Sequence, residues 1–175
     1  MKSLFLWLPL IGIGMLSCKE DVTEESPKEN WNMDHSVDFN KELHKREELA
    51  IEIYLAHHKD LKMTKTGSGI RYQFSKTQKG SGYLASIGGL VTVDLKIGLL
   101  DGRICYDSDS IPDRFVLGLS DEESGLQEVL QLMRAGDKSK IIVPSYLAHG
   151  LMGDSKMIPP QSILLIDVEL LSINE

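Results

Sequence analysis

The residues best suited to chemistry lie near the end of the chain, in the loop PSYLAHGLMGDSKMIPP from Pro144 to Pro160. His149 is its one group that ordinarily titrates near neutrality. Around it stand Leu151, Met152, Met157 and Ile158, apolar side chains that a plain surface connection does not require. Pro159 and Pro160 fix φ at successive residues and push Ile158 into an extended conformation. Elsewhere the sequence has no glycine-rich phosphate loop, no zinc-type pairing of cysteine with histidine and no serine-nucleophile elbow. His57 and His58 are adjacent, which on a helix puts them on different faces, so they read as a solvated helix end and not as metal ligands.

The chain's 175 residues are one domain's worth with room for a modest extra segment, and a formal charge of −7 with 42% apolar residues describes an acidic globular protein. That acidity argues against nucleic acid as a partner, because binders of the phosphate backbone carry a basic face. The two cysteines are chemically unrelated. Cys18 closes MKSLFLWLPLIGIGMLSC, where Lys2 precedes an apolar run from Leu4 to Leu16. The run is too short to cross a hydrocarbon core of ~30 Å at ~1.5 Å per residue, and it lacks a polar face. It fits the apolar region of a secretory signal covering residues 1–17. MLSC resembles a lipobox, which implies cleavage before Cys18, a palmitate-type lipid on Cys18, and sorting to the outer membrane. The following CKED either resembles an export tag that sends lipoproteins to the cell surface or simply opens a solvated tether. Lys19 to His35, KEDVTEESPKENWNMDH, is too poor in apolar residues to offset its ordering entropy, so residues 18–36 are expected to be a disordered acidic tether.

The folded part begins with a helix expected over 37–62, in which Leu43, Ala50, Ile51, Tyr54 and Leu55 follow helical spacing. After the TGSG turn, Ile70, Tyr72 and Phe74 alternate as in a half-buried strand. Val91, Val93, Leu95 and Ile97 alternate more cleanly, and Asp101-Gly102 marks a hairpin, so the sheet is antiparallel. SDEESGLQEVLQLMRAGD reads as a second helix. Ser120 and Glu123 have capping-box spacing, Leu126, Val129, Leu130 and Met133 form the buried stripe, and Gly136 supplies the stop. KSKIIVP and SILLIDVELLSI are the closing strands. Strands, a short helix on one face and more strands make an α+β domain over 63–175.

The segments TGSGIRYQF, VTVDLKIGLLDG, GLQEVLQLMRAGDKSKIIVPSYLAHG and MIPPQSILLIDVELL resemble, in order, the motifs of FKBP-type peptidyl-prolyl isomerases. In particular they resemble the lipid-anchored FKBP domains associated with gliding motility in some bacteria. The resemblance covers about Gly67 to Ile173 and is most specific at its end, VPSYLAHG followed by IPP and DVELL. It implies a twisted antiparallel sheet wrapped around a short helix, with the Pro144–Pro160 loop as a flap over an apolar pocket. It also implies prolyl isomerisation of exported polypeptides in the cell envelope with no metal or cofactor, or else a catalytically weak binding module serving an envelope complex.

By the same resemblance the pocket should comprise Leu95, Cys105, Tyr106, Leu126, His149, Met157, Ile158 and Ile166. Several of these depart from the family pattern. Leu95 stands where a tyrosine is usual, Leu126 where tryptophan often forms the floor, His149 where the flap has a tyrosine, and Ile166 where a phenylalanine is usual. Cys105 and Tyr106 replace a phenylalanine–aspartate pair, unless a one-residue shift puts Tyr106 and Asp107 there. Glu122 and Glu123 replace an aliphatic pair, but the helix start accounts for them, so they need not face the pocket. His149 either donates to a substrate carbonyl or bonds to loop backbone. Cys105 is expected to be a small buried hydrophobe.

Overall fold

The computed structural model describes residues 33–76, 79–109 and 111–174. The expected signal segment, Cys18 and the expected tether as far as Asn32 lie outside these residues. Helix α1 (Met33–His57) begins ahead of the expected Val37, so Met33 to Ser36 belong to the helix and not to a tether. It also stops short of residue 62: Leu61 N–H donates to the His58 carbonyl (3.0 Å) in a turn. His57 and His58 are exposed and place Nδ1 2.8 Å from the carbonyls of Ile53 and Tyr54, the solvated helix end that their adjacency predicts.

The remaining elements are β1 (Thr64–Lys65), β2 (Arg71–Phe74), β3 (Ser81–Leu84), β4 (Leu90–Leu99), β5 (Ile104–Asp107) and β6 (Asp113–Val116), then α2 (Ser124–Leu130), β7 (Arg134–Ala135), β8 (Lys138–Val143) and β9 (Leu164–Asn174). Among the described residues the main sheet runs β1-β2-β8-β9-β4-β5, with β6 also beside β4, and every pairing is antiparallel. β9 occupies one edge of β4 along its whole length. β6 and β5 share the other edge, β6 along the first half of β4 and β5 along the second. β3 and β7 form a separate two-stranded ribbon.

Alternation sends Val91, Val93, Leu95 and Ile97 of β4 to one face with Ile166, Val168 and Leu170 of β9 and Ile141 and Val143 of β8, and all are buried. α2 lies on this face. Leu126, Val129, Leu130 and, just beyond the helix, Met133 have no exposed surface. Each such side chain contributes about 1.5–3 kcal/mol through burial.

The helix itself is shorter than the sequence suggests, and its start is built differently. Neither Ser120 nor Glu123 caps it, and Ser120 Oγ is buried without a partner. Gln127 closes the turn instead: its Nε2 donates to the carbonyls of Glu122 (2.8 Å) and Ser120 (3.3 Å), and its Oε1 accepts the Gly118 N–H (2.6 Å). Gly136 sits in the β7–β8 turn and not at the helix end, because Leu132 and Met133 already donate back to Val129 and Leu130.

α1 packs on the opposite, outer face. Glu48 pairs with Arg71 of β2 and with Lys65 of β1, the latter at 2.7 Å. Arg71 lies across from Ile142 in register, and Ile142, Ile51 and Leu43 are buried outside the main core. The buried stripe of α1 is Leu43, Glu47 and Ile51, while the expected Ala50, Tyr54 and Leu55 are only half-buried.

Gly125 tests how closely α2 approaches β8. A Cβ there would collide with Val143 Cγ1 and come within 3.2 Å of its Cγ2. Alanine favours a helix over glycine by about 1 kcal/mol, yet overpacking typically costs about 1–3 kcal/mol. Gly125→Ala is therefore expected to lower the thermal unfolding midpoint. A raised midpoint would show that the helix can lift off the strand freely.

Candidate functional site

Between β5 and β6, along the shared edge of β4, the core face opens to solvent as a hollow of about 260 Å³. Leu95 and Ile97 of β4 form its apolar wall, joined by Ile158 from the loop. Tyr106 of β5, Asp113 of β6, Glu122 and Glu123 ahead of α2, and His149 and Asp154 of the loop complete it.

The loop is folded so that Ile158 points inward. Asp154 Oδ1 accepts the backbone N–H groups of Lys156 and Ile158, both at 2.8 Å, and Asp154 N–H donates to the Ile158 carbonyl at 3.1 Å. Burial pushes the Asp154 carboxyl up, but these backbone donors outweigh it and hold the group below the usual carboxylate range. Gly153 adopts a φ of +69°, and a side chain there would collide with the Ile158 carbonyl, so this turn requires glycine. Ile158 is left only 6% exposed.

The polar part of the wall is acidic. Tyr106 donates its hydroxyl to Asp113, 2.7 and 2.9 Å from the two carboxylate oxygens, and that bond pushes the phenol up to about 12. Glu123 is buried, and its Oε1 lies 3.0 Å from His149 Nε2. Burial, then Glu123 and Asp113, raise the Glu122 carboxyl against the opposing pull of His149.

Of the side chains expected here, the structure brings together Leu95, Tyr106, His149 and Ile158. Leu126 and Ile166 are fully buried in the adjoining core and do not line the hollow. Met157 is largely exposed and borders a second hollow of about 370 Å³ with Arg103, Met152 and Pro159. Cys105 is half-buried, not a buried hydrophobe, and its Sγ lies 3.5 Å from the Met157 carbonyl. Burial raises its thiol despite Arg103. Of the two alignments at this strand, Tyr106 takes the pocket position, while Asp107 sits on the outer face in an ion pair with Lys96 (2.9 Å).

Glu122 and Glu123 do face the hollow, although a helix start alone accounts for acids at these positions; Glu123 makes no cap bond, and Gln127 ties the turn instead. His149 lies against Glu123 and not against loop backbone. Ile97, Asp113 and Asp154 were missed. Ile97 shares the face of Leu95 and was legible by alternation, whereas Asp113 depends on the short strand β6.

A larger hollow, about 410 Å³, lies on the outer face of the sheet and includes Lys96, Asp107, Lys138, Lys140, Asp167 and Glu169. These charges already pair across strands, Lys96 with Asp107, Lys138 with Glu169 (2.6 Å) and Lys140 with Asp167. The 260 Å³ hollow is therefore the better candidate. Among the described residues no group of histidine, cysteine and acidic side chains could hold a metal ion.

Comparison with known proteins agrees with this geometry. The sequence model for the FKBP-type peptidyl-prolyl cis-trans isomerases matches residues 82–171. The chain is 36% identical over 103 residues to the macrophage infectivity potentiator of Trypanosoma cruzi, spanning 58% of this chain and 53% of that protein. It is 31% identical over 108 residues to the probable FKBP-type isomerase FkpA of Neisseria meningitidis, spanning 62% and 39% respectively. The crystal structure of FkpA from Escherichia coli superimposes with a TM-score of 0.65 at 28% identity, covering 80% of this chain and 64% of that one. A Pseudomonas syringae peptidyl-prolyl isomerase gives 0.63 at 26% identity, covering 75% and 96%. The chain thus belongs to the FKBP-type peptidyl-prolyl cis-trans isomerase family, and it spans about half or less of the curated relatives it matches.

The Tyr106–Asp113 bond has a measurable signature. A phenol held at about 12 stays protonated through the ordinary tyrosine range, so the bond stabilises the fold at and below that range and is lost as pH rises towards 12. Titration by phenolate absorbance should show one of the five tyrosines moving down in Asp113→Asn. Identical curves for the two proteins would mean that the bond does not form.

Proposed function

We propose that this chain catalyses cis–trans isomerisation of X–Pro bonds in exported polypeptides and thereby assists their folding at the cell envelope. The observation that carries this reading is the open hollow bounded by Leu95, Ile97 and Ile158, which the protein's own side chains leave unfilled. The reaction makes and breaks no covalent bond. Its barrier of about 18–20 kcal/mol comes from amide resonance lost as the C–N bond twists. A twisted imide is less dipolar than a planar one, so a water-poor apolar wall favours it over the ground state, and that is differential binding of the transition state. Each ~1.36 kcal/mol of such preference is tenfold in rate. Leucine and isoleucine exclude water but lack the flat faces of aromatic rings, so they grip a proline ring less firmly.

Exchange spectroscopy on a proline peptide, with the full chain added in catalytic amount, should show acceleration over the uncatalysed exchange time of ~10–100 s. Ile158→Ala removes part of the wall and should reduce kcat/KM about tenfold, equivalent to about 1.4 kcal/mol. Absence of acceleration by a folded protein would reject the enzyme reading. A second reading, a binding module without useful catalysis, is favoured by one observation: carboxylates of Glu122 and Glu123 border the space that the proline would enter. Binding without acceleration is its signature.

The MLSC junction and the acidic segment after it support anchoring to the outer membrane through lipid on Cys18, on its periplasmic or cell-surface face. In that setting the domain serves an envelope complex, and the likeness to gliding-associated domains supports such a partner. Cells fed labelled palmitate should label the wild-type chain and not Cys18→Ser. Equal labelling would remove the anchor from the proposal.

A further inference from the structure

The acids in the wall of the hollow are not all satisfied. The Glu123 side chain is 5% exposed, yet its Oε2 is buried with no hydrogen-bond partner, and only Oε1 meets His149. Glu123 occupies the N-cap position of α2, where a carboxylate normally turns back to the helix N–H groups, but it makes no such bond. Its side chain is directed into the hollow instead. Beside it stands Glu122, whose carboxyl is pushed up by burial and by the neighbouring Glu123 and Asp113. Asp113 is occupied by Tyr106, and Asp154 by the loop backbone. Among the described residues the wall contains no lysine or arginine; Arg103 and Lys156 border the second hollow. A buried carboxylate oxygen without a donor is costly, and a neutral apolar ligand brings it none.

We infer that the hollow selects proline segments carrying a lysine or arginine next to the proline, with Glu123 and Glu122 as the specificity-determining residues. The inference rests on reading the hollow as the proline site and adds its substrate class. Leu95, Ile97 and Ile158 take the ring and the aliphatic stem of the neighbouring side chain. The cation at the end of that stem supplies the donors that Glu123 Oε2 lacks and offsets the charge of Glu122. A glutamate at the same peptide position meets like charge and is excluded.

The test compares blocked tetrapeptides Ala-Xaa-Pro-Ala in which the residue before proline is lysine, acetyl-lysine or glutamate. Acetyl-lysine keeps the stem and removes the charge. Affinity for the full chain is read from NMR chemical-shift titration at ~0.15 M salt, where long-range surface steering is screened. Isomerisation is read separately, from exchange cross-peaks of the same samples. The lysine peptide should bind at least about tenfold tighter than the acetyl-lysine peptide, the glutamate peptide should bind weakest, and the preference should collapse in Glu123→Gln and shrink in Glu122→Gln. Equal affinity for the lysine and acetyl-lysine peptides, or a preference kept by both glutamine variants, would overturn it. Lysine preference without accelerated exchange supports the inference and rejects isomerase activity. Accelerated exchange without preference does the reverse. No binding of any peptide rejects both.

Discussion

β4 and β9 run antiparallel from Leu90 opposite Asn174 to Leu99 opposite Leu164, and their register fixes which side chains meet α2 and which meet solvent. A slip of β9 by one residue on β4 would drive Asp167 and Glu169 into the core and expel Ile166 and Val168. On the outer face the neighbouring strands are aligned by charge: Lys96 of β4 meets Asp107 of β5, and Lys138 and Lys140 of β8 meet Glu169 and Asp167 of β9. Exposed pairs of this kind contribute little stability each. What they supply is a cost for a wrong register of β5 on β4 or of β8 on β9, while the buried row supplies most of the free energy. The hollow follows from the same arrangement. β9 covers one edge of β4 continuously, but the other edge is divided between β6 and β5, and the core face stays open where they part.

Two opposing demands meet in that opening. A site that favours a twisted imide needs low polarity, and Leu95, Ile97 and Ile158 provide it. Yet Tyr106, Asp113, Glu122, Glu123, His149 and Asp154 border the same space. The structure resolves part of the conflict by pairing: Tyr106 satisfies Asp113, loop N–H groups satisfy Asp154, and His149 satisfies one oxygen of Glu123. Glu122 and the second oxygen of Glu123 remain outside these pairs. The hollow is thus apolar along β4 and negative towards α2, and a ligand entering it meets both surfaces at once.

The long strands were legible in the sequence because burial on one face imposes a period of two over many residues. Val91 to Ile97 and Leu164 to Leu170 show it without ambiguity, and the stripe Leu126, Val129, Leu130 and Met133 shows the helical period equally well. β1, β3, β6 and β7 are too short to display a period, and their pairing is set by partners remote in sequence. The capping-box reading failed for a local reason: α2 starts at Ser124, so Glu123 and not Ser120 stands at its N-cap, and Gln127 ties the preceding turn through two carbonyls and one N–H. Once Gln127 holds the turn, Glu122 and Glu123 are free to face the hollow, a consequence that residue spacing cannot display. Leu126 and Ile166 were expected in the pocket but lie deeper, because they fill the core beside it and leave its wall to Ile97 and Asp113.

The loop that bears His149 and Ile158 is held at both ends by α1, an element outside the sheet. Near its start, Ser145 N–H donates to the buried Glu47 at 3.2 Å, and the Tyr146 ring packs on His44 with centroids 5.6 Å apart. Tyr146 also donates its hydroxyl to the Ser68 carbonyl at 2.6 Å. At the far end, Arg46 donates to Gln161 Oε1 at 2.6 Å, and Gln161 N–H returns to the Gly150 carbonyl at 2.9 Å. Glu47 leaves its other oxygen buried and unpartnered, so this seam is not optimised for stability alone. Fixing the two ends removes conformational freedom from the loop while its middle, with Leu151, Met152 and Met157, stays exposed. The inward side chain is then set by the short Asp154–Ile158 turn. Helix, loop and β4 together determine the distance between Ile158 and Leu95, and so the width of the space available to a ring.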